Sequence, residues 1–210
     1  MKVMTYRTGQ VVLCGLLLLS VIMLPWATIT SRATMGLLST DIYTHKVVYK
    51  MNTIDGSWGE SYSFTELLIR LSSTKTSMRD PEELLIRGFV VNYGEKMFYL
   101  AGVTSILAII GVIMGFIRPY EKRKTRWILI GTGFLGLFVS LYYLYVFKSV
   151  LSMIGYDYPL VAVITGAPLS GVLGGSTLKM TYGWFLALIS SISLIVYGNS
   201  LKVGYVHKSW

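Results

Sequence analysis

MFYLAGVTSILAIIGVIMGFI, residues 97–117, runs for 21 residues without Asp, Glu, Lys, Arg or His. About 20 apolar residues is the length an α-helix needs to cross a ~30 Å hydrocarbon core. Three further uncharged runs occur, at residues 11–28, 127–147 and 182–201. Together they predict an all-α membrane protein, a four-transmembrane-helix bundle. The first run begins like a signal peptide, with Lys2 and Arg7 before a Leu-rich stretch. No small-x-small cleavage site follows it, so it reads as a retained span.

Composition agrees with that reading. Of 210 residues, 53% are hydrophobic and 14% charged, against roughly 25% charged in an average soluble domain. A disordered chain and a soluble domain are excluded on this basis. The formal net charge is +9, but the bases gather beside the spans, so no nucleic-acid partner is expected. The single cysteine, Cys14, rules out an intrachain disulfide. One domain, residues 1–210, accounts for the length.

The bases also predict orientation, because Lys and Arg accumulate on the cytoplasmic side. Lys2 and Arg7 precede the first run, and Lys202 and Lys208 follow the last. The link at residues 118–126 carries five bases and one acid. Both termini and this link are therefore expected in the cytoplasm of a multi-pass cell-membrane protein. Residues 29–96 and 148–181 are expected to be extracytoplasmic. Arg118, Lys122, Arg123, Lys124 and Arg126 are candidate contacts to anionic lipid headgroups, each contributing about 1 kcal/mol near the surface. The lipid bilayer is thus the first expected partner.

Residues 29–96 form the largest polar stretch. Residues 29–35 and 41–51 are rich in Thr, Val, Ile and Tyr and read as strands. Gly36, Ser39 and Thr40 suggest the turn between them, and residues 52–59, with Asp55-Gly56, suggest a second. Ser63 and Glu66 have capping-box spacing ahead of a short helix. Asp80-Pro81-Glu82-Glu83 is a stronger helix start. The expectation is a small extracytoplasmic α+β subdomain inserted between spans 1 and 2: a short antiparallel sheet plus one or two helices. Its carboxylates, Asp55, Glu60, Glu66, Asp80, Glu82 and Glu83, read as solvated and locally paired. His45 lacks a second nearby ligand of the kind a metal site requires.

The stretch at residues 160–175 is apolar yet broken by Gly and Pro, so it is too interrupted to span. Apolar surface in a loop has to be buried somewhere. It caps the sheet, re-enters the bilayer, or binds a partner or a second copy. Leu160, Val161, Val163, Ile164, Pro168, Leu169, Val172 and Leu173 are the candidate partner contacts. Gly111 and Gly115 form a small-xxx-small pair, and Gly131, Gly133 and Gly136 offer a second surface for close helix packing.

Four spans, both termini inside, a large strand-bearing first loop and a shorter second loop resemble the claudin/tetraspan layout. Pro25-Trp26 at the end of the first span and Trp58-Gly59 in the loop are similar to that group. The resemblance is one of topology over the whole chain. The chain lacks the Gly-Leu-Trp motif and the two loop cysteines of claudins, so no functional residue is carried over.

No phosphate loop, dinucleotide fingerprint, zinc motif or nucleophile elbow occurs, and the spans hold no ionisable group of the kind transporters use. No catalytic residue, cofactor or metal site is expected, and no enzymatic activity. The leading expectation is a non-enzymatic accessory or scaffold protein of the membrane. It would make protein–protein contacts through the subdomain and the apolar second loop, with other membrane or envelope proteins or by self-association. The alternatives are a subunit of a small oligomeric pore or transporter, with Ser190, Ser191 and Ser193 along the path, and the membrane-anchoring subunit of a redox enzyme complex.

Overall fold

A computed structural model describes residues 2–33, 36–53, 56–73, 81–116, 122–169 and 176–201. Helix α1 (Lys2–Ile22) leads into strands β1 (Ala27–Ala33), β2 (Gly36–Ile42), β3 (Lys46–Thr53) and β4 (Gly56–Ser63). Helices α2 (Phe64–Ser73), α3 (Pro81–Phe89) and α4 (Glu95–Phe116) follow, then α5 (Lys122–Met153) and the short α6 (Leu160–Thr165). Strands β5 (Ala167–Leu169) and β6 (Ser176–Met180) and helix α7 (Tyr182–Ser200) complete the described chain.

Among the described residues, three helical segments are long and apolar enough to cross a membrane: Leu84–Phe116, Arg123–Met153 and Tyr182–Ser200. The expected four-span, all-α class is therefore corrected. The uncharged run at residues 11–28 is helical only as far as Ile22, and β1 begins at Ala27. Residues 11–22 rise only about 18 Å at 1.5 Å per residue, short of a ~30 Å core. Arg7–Ile22 is a shorter apolar helix, which packs beside α4 and α7. The claudin-like layout is not supported either, because it requires four spans.

The sheet also differs from the expected insertion. Among the described residues it has six strands in the order β4-β3-β2-β1-β6-β5, all antiparallel. Four strands precede α4 and two follow α5, so the sheet is assembled from two distant stretches of chain. Gly36, Ser39 and Thr40 lie within β2 rather than in a turn. The expected strand at residues 41–51 is itself broken by a turn between β2 and β3, where the amide of Tyr43 donates to Lys46 O at 2.9 Å.

Register and burial separate the sheet into two faces. Val47, Ile42, Ala27 and Met180 align across β3, β2, β1 and β6, as do Thr40, Ile29, Leu178 and Ala167 across β2, β1, β6 and β5. All eight are buried. On this core face Phe89 lies 4.9 Å from Phe147, 5.6 Å from Tyr143 and 5.7 Å from Phe64, and Trp26 meets Tyr143 edge-on at 5.0 Å. The aromatic cluster joins α3, α5, the residue before β1 and the start of α2 into one core.

Between α3 and α4 the chain stays helical but widens into a π-turn, Val90–Gly94. Such a turn inserts an extra residue and leaves a carbonyl in need of a donor. The side-chain amide of Asn92 supplies one, donating to Gly88 O at 2.9 Å. Gly88 and Gly94 are thus held within a continuous helix.

The end of α1 is tied to the sheet by its own carbonyls, since the last four in any helix lack intrahelical donors. Trp26 Nε1 donates to Ser20 O at 2.7 Å, and Thr44 Oγ1 donates to Val21 O at 2.8 Å. Thr44→Val keeps the shape and removes the donor from a buried carbonyl. It is expected to cost about 1–2 kcal/mol, read as a lowered midpoint of thermal unfolding in detergent. An unchanged midpoint would show that the Val21 carbonyl does not depend on Thr44.

Candidate functional site

The face of the sheet opposite the core is polar. Thr28 pairs with Asp41 across β1 and β2, and Lys50 reaches Asp41 diagonally from β3. Asp41 is 8% exposed. Its carboxylate accepts from Thr28 Oγ1 at 2.7 Å and from Lys50 Nζ at 2.6 Å. The hydrogen bond to Asp41 raises the Lys50 pKa above its ordinary value, against a smaller opposing effect of burial. The carboxylate is engaged by a hydroxyl and an ammonium, so this group fastens three strands together.

The two edges of the sheet are unlike each other. At one edge, β5 is three residues long and centred on Pro168, which has no amide hydrogen to offer. The Pro168 carbonyl is already taken, accepting from Tyr158 Oη at 2.5 Å. That edge is blunted in the way sheet proteins commonly avoid edge pairing.

At the other edge, β4 is eight residues long. Its hydrogen-bonding parity follows from Ser63, whose amide donates to Glu66 Oε2 at 2.7 Å and so does not point at β3. Backbone groups alternate sides along a strand of an antiparallel pair, so Ser57, Gly59 and Ser61 share the outward direction. All three are exposed, and among the described residues no backbone group pairs with them. Their side chains are small, leaving the backbone accessible. Trp58, between them, is 56% exposed.

The capping box seen in the sequence stops the strand. Ser63 Oγ donates to Glu66 Oε2 at 2.9 Å and accepts from the Glu66 amide at 3.3 Å. Asp80, the other expected cap, lies outside the described residues.

His45 sits in the turn between β2 and β3, not along a strand. Burial pushes its imidazole below the ordinary 6.5, and the Lys46 charge adds to that. A depressed imidazole means that the unfolded chain binds the proton more tightly. The corresponding stability is complete above pH 6.5 and declines as the pH falls below it. His45→Asn is expected to flatten that limb of a stability-against-pH curve measured between pH 4 and 8. A slope unchanged by the substitution would remove His45 as its source.

The candidate partner contacts separate. Val163 is fully buried and Leu169 nearly so, both packed into the chain's own core, and Ile164 is half-buried. Leu160, Val161 and Pro168 are exposed. Val172 and Leu173 lie outside the described residues. Gly111 faces Cys14 of α1, Gly115 faces Val11, and Gly133 and Gly136 face α7 at Ser191. Gly131 meets no neighbouring atom within 4 Å. Arg123 and Lys124 are exposed and Arg126 is half-buried, its Nη2 donating to Asn199 Oδ1 at 3.5 Å. Lys122 opens α5, and Arg118 lies outside the described residues. The described candidate glycines and bases therefore sit on α4 and α5.

Helix hydroxyls are used locally. Thr104, Ser105, Thr132, Ser140 and Ser191 each donate to the carbonyl four residues earlier. Ser190 and Ser191 are buried. Among the described residues no three His, Cys, Asp or Glu side chains come together as metal ligands would.

No family model matches the chain, and no curated protein matches its sequence.

The open edge was not anticipated, because residues 52–59 read as a turn. A signal was present in GSWGESYS, residues 56–63, where small residues alternate with Trp58, Glu60 and Tyr62. That period of two is the mark of a strand with two unlike faces.

Proposed function

We propose that this chain is a non-enzymatic integral membrane scaffold that docks an extended segment of another protein along β4. The reading rests chiefly on the open eight-residue edge at Ser57, Gly59 and Ser61, beside a second edge that is closed. An exposed strand edge accepts a further strand through main-chain hydrogen bonds. The exposed Trp58 gives such a partner an apolar anchor, a residue type enriched at the energetic centres of interfaces. Three helices of crossing length support the membrane placement. The basic link at residues 118–126 supports an orientation with the sheet outside the cytoplasm.

Proline substitution tests the edge selectively. At Ser61 proline removes an outward amide hydrogen and leaves the β3 ladder intact, whereas at Glu60 it removes an inward one. The experiment places a cysteine at Ser57 and applies a membrane-impermeant crosslinker to intact cells, followed by mass-spectrometric identification of the adduct. A defined polypeptide partner is expected, and its adduct is expected to vanish in the Ser57→Cys/Ser61→Pro double variant. An adduct that survives Ser61→Pro would overturn strand pairing. Labelling of Ser57→Cys only after the membrane is opened would overturn the orientation.

A further inference from the structure

A groove runs down the seam between the sheet end of α1, the β2–β3 turn and α4. It consists of two chambers that share His45 and Phe98. The upper chamber, of about 330 Å³, is lined by Ser63, Thr65, Glu95 and Tyr99 among others. The lower chamber, of about 180 Å³, is lined by Val21, Ile22, Ala101, Gly102 and Ser105, with Thr44 at its top.

The two chambers differ in chemistry. The lower one is a trough of small residues on α4, walled by aliphatic side chains of α1. Ile22, in its wall, is exposed, so the trough meets the surface that faces hydrocarbon where α4 crosses the membrane. The upper chamber combines the Glu95 carboxylate with the rings of Phe98 and Tyr99. Among the described residues Glu95 has no ion pair. A carboxylate beside aromatic rings is a setting that favours an alkylammonium group, held by charge and by cation–π attraction. The polar chamber lies above the apolar one, as head and tail lie in an amphiphile.

We infer that this groove binds one amine-headed membrane lipid, its ammonium at Glu95 among Phe98 and Tyr99 and one hydrocarbon chain in the trough over Gly102. The inference is independent of strand docking at β4 and rests only on the membrane-embedded part of the proposed function. A Cβ added to Gly102 would meet no atom within 4 Å, so a side chain there enters the trough that Gly102 lines.

The test uses the full chain in nanodiscs containing a spin-labelled lipid with either an ethanolamine or an uncharged sugar headgroup, both without net charge. The motionally restricted fraction per protein is measured by electron paramagnetic resonance. The ethanolamine lipid is expected to be preferred by about fivefold, the size of one screened charge contact. Glu95→Gln, which keeps the cavity, is expected to bring that preference to unity. Gly102→Leu is expected to lower the restricted fraction for both lipids. A restricted fraction with no headgroup preference would overturn the site and leave the membrane reading standing. A preference that persists in Glu95→Gln would overturn the assignment to Glu95. No restricted lipid of either kind would overturn the membrane reading as well.

Discussion

Trp26→Ala is expected to destabilise the protein by about 3–5 kcal/mol, the usual range for removing a buried large aromatic. Trp26 is fully buried where α1 gives way to β1. Three attachments depend on its position. Its indole nitrogen donates to the Ser20 carbonyl at 2.7 Å, its ring meets Tyr143 of α5 edge-on at 5.0 Å, and its own amide donates to Ile42 O at 2.8 Å. Truncation opens a cavity and also strands a helix-terminal carbonyl. Trp26→Phe separates these effects, keeping most of the apolar surface while losing the donor, and is expected to cost about 1–3 kcal/mol. Tyr143→Phe removes one further bond, Tyr143 Oη to Ile42 O at 3.1 Å, for about 1 kcal/mol. Reversible unfolding in detergent, followed by circular dichroism, ranks the three. If Trp26→Phe proved as damaging as Trp26→Ala, the hydrogen bond would outweigh packing at this junction.

The second large effect is a change of sign between two glycines two residues apart. A Cβ on Gly133 would lie 2.7 Å from the carbonyl oxygen of Ser191 and 2.7 Å from Ile195 Cγ1. One of those neighbours is backbone, so a side chain is accommodated only if α5 and α7 move apart. Overpacking of this kind costs about 1–3 kcal/mol, and Gly133→Leu is expected at or above the top of that range. Gly131, with no neighbour within 4 Å, carries only the backbone penalty of a helical glycine. Gly131→Ala is therefore expected to stabilise the protein by up to about 1 kcal/mol. Thermal midpoints that move in the same direction for both variants would contradict the α5–α7 packing described above.

The sequence was most informative where one chemical constraint acts alone. Uncharged runs identified α4, α5 and α7, because hydrocarbon tolerates few alternatives to a helix. The Ser63–Glu66 capping box was legible because both partners lie within four residues. Misreadings arose where apolar character has two possible causes. Residues 23–28 are as uncharged as a span, but Trp26, Ala27 and Thr28 are apolar or small because they pass beneath and into a sheet. The same ambiguity hid β5 and β6. Leu178 and Met180 alternate with Thr177 and Lys179 as a strand requires, yet five residues after a Gly-rich stretch give little periodicity to weigh. His45 is remote in sequence from Glu95 and Phe98, and only the packing of the β2–β3 turn against α4 brings it to their groove.

The pairing of β1 with β6 joins residues 27–31 to residues 176–180, and this has a consequence for how the chain is made. Contacts between residues so far apart are slow to form, because the intervening chain must first be ordered. During synthesis β1 to β4 emerge before α4, while β6 follows only after α5. The sheet is therefore completed last, once the helices between its two parts have been laid down, and β1 has no neighbour on one side until then. Newly made chains pass through a stage in which four strands are present and the remaining two are not. Conditions that lengthen that stage, such as slow elongation through α5, expose the incomplete sheet to mispairing with other chains.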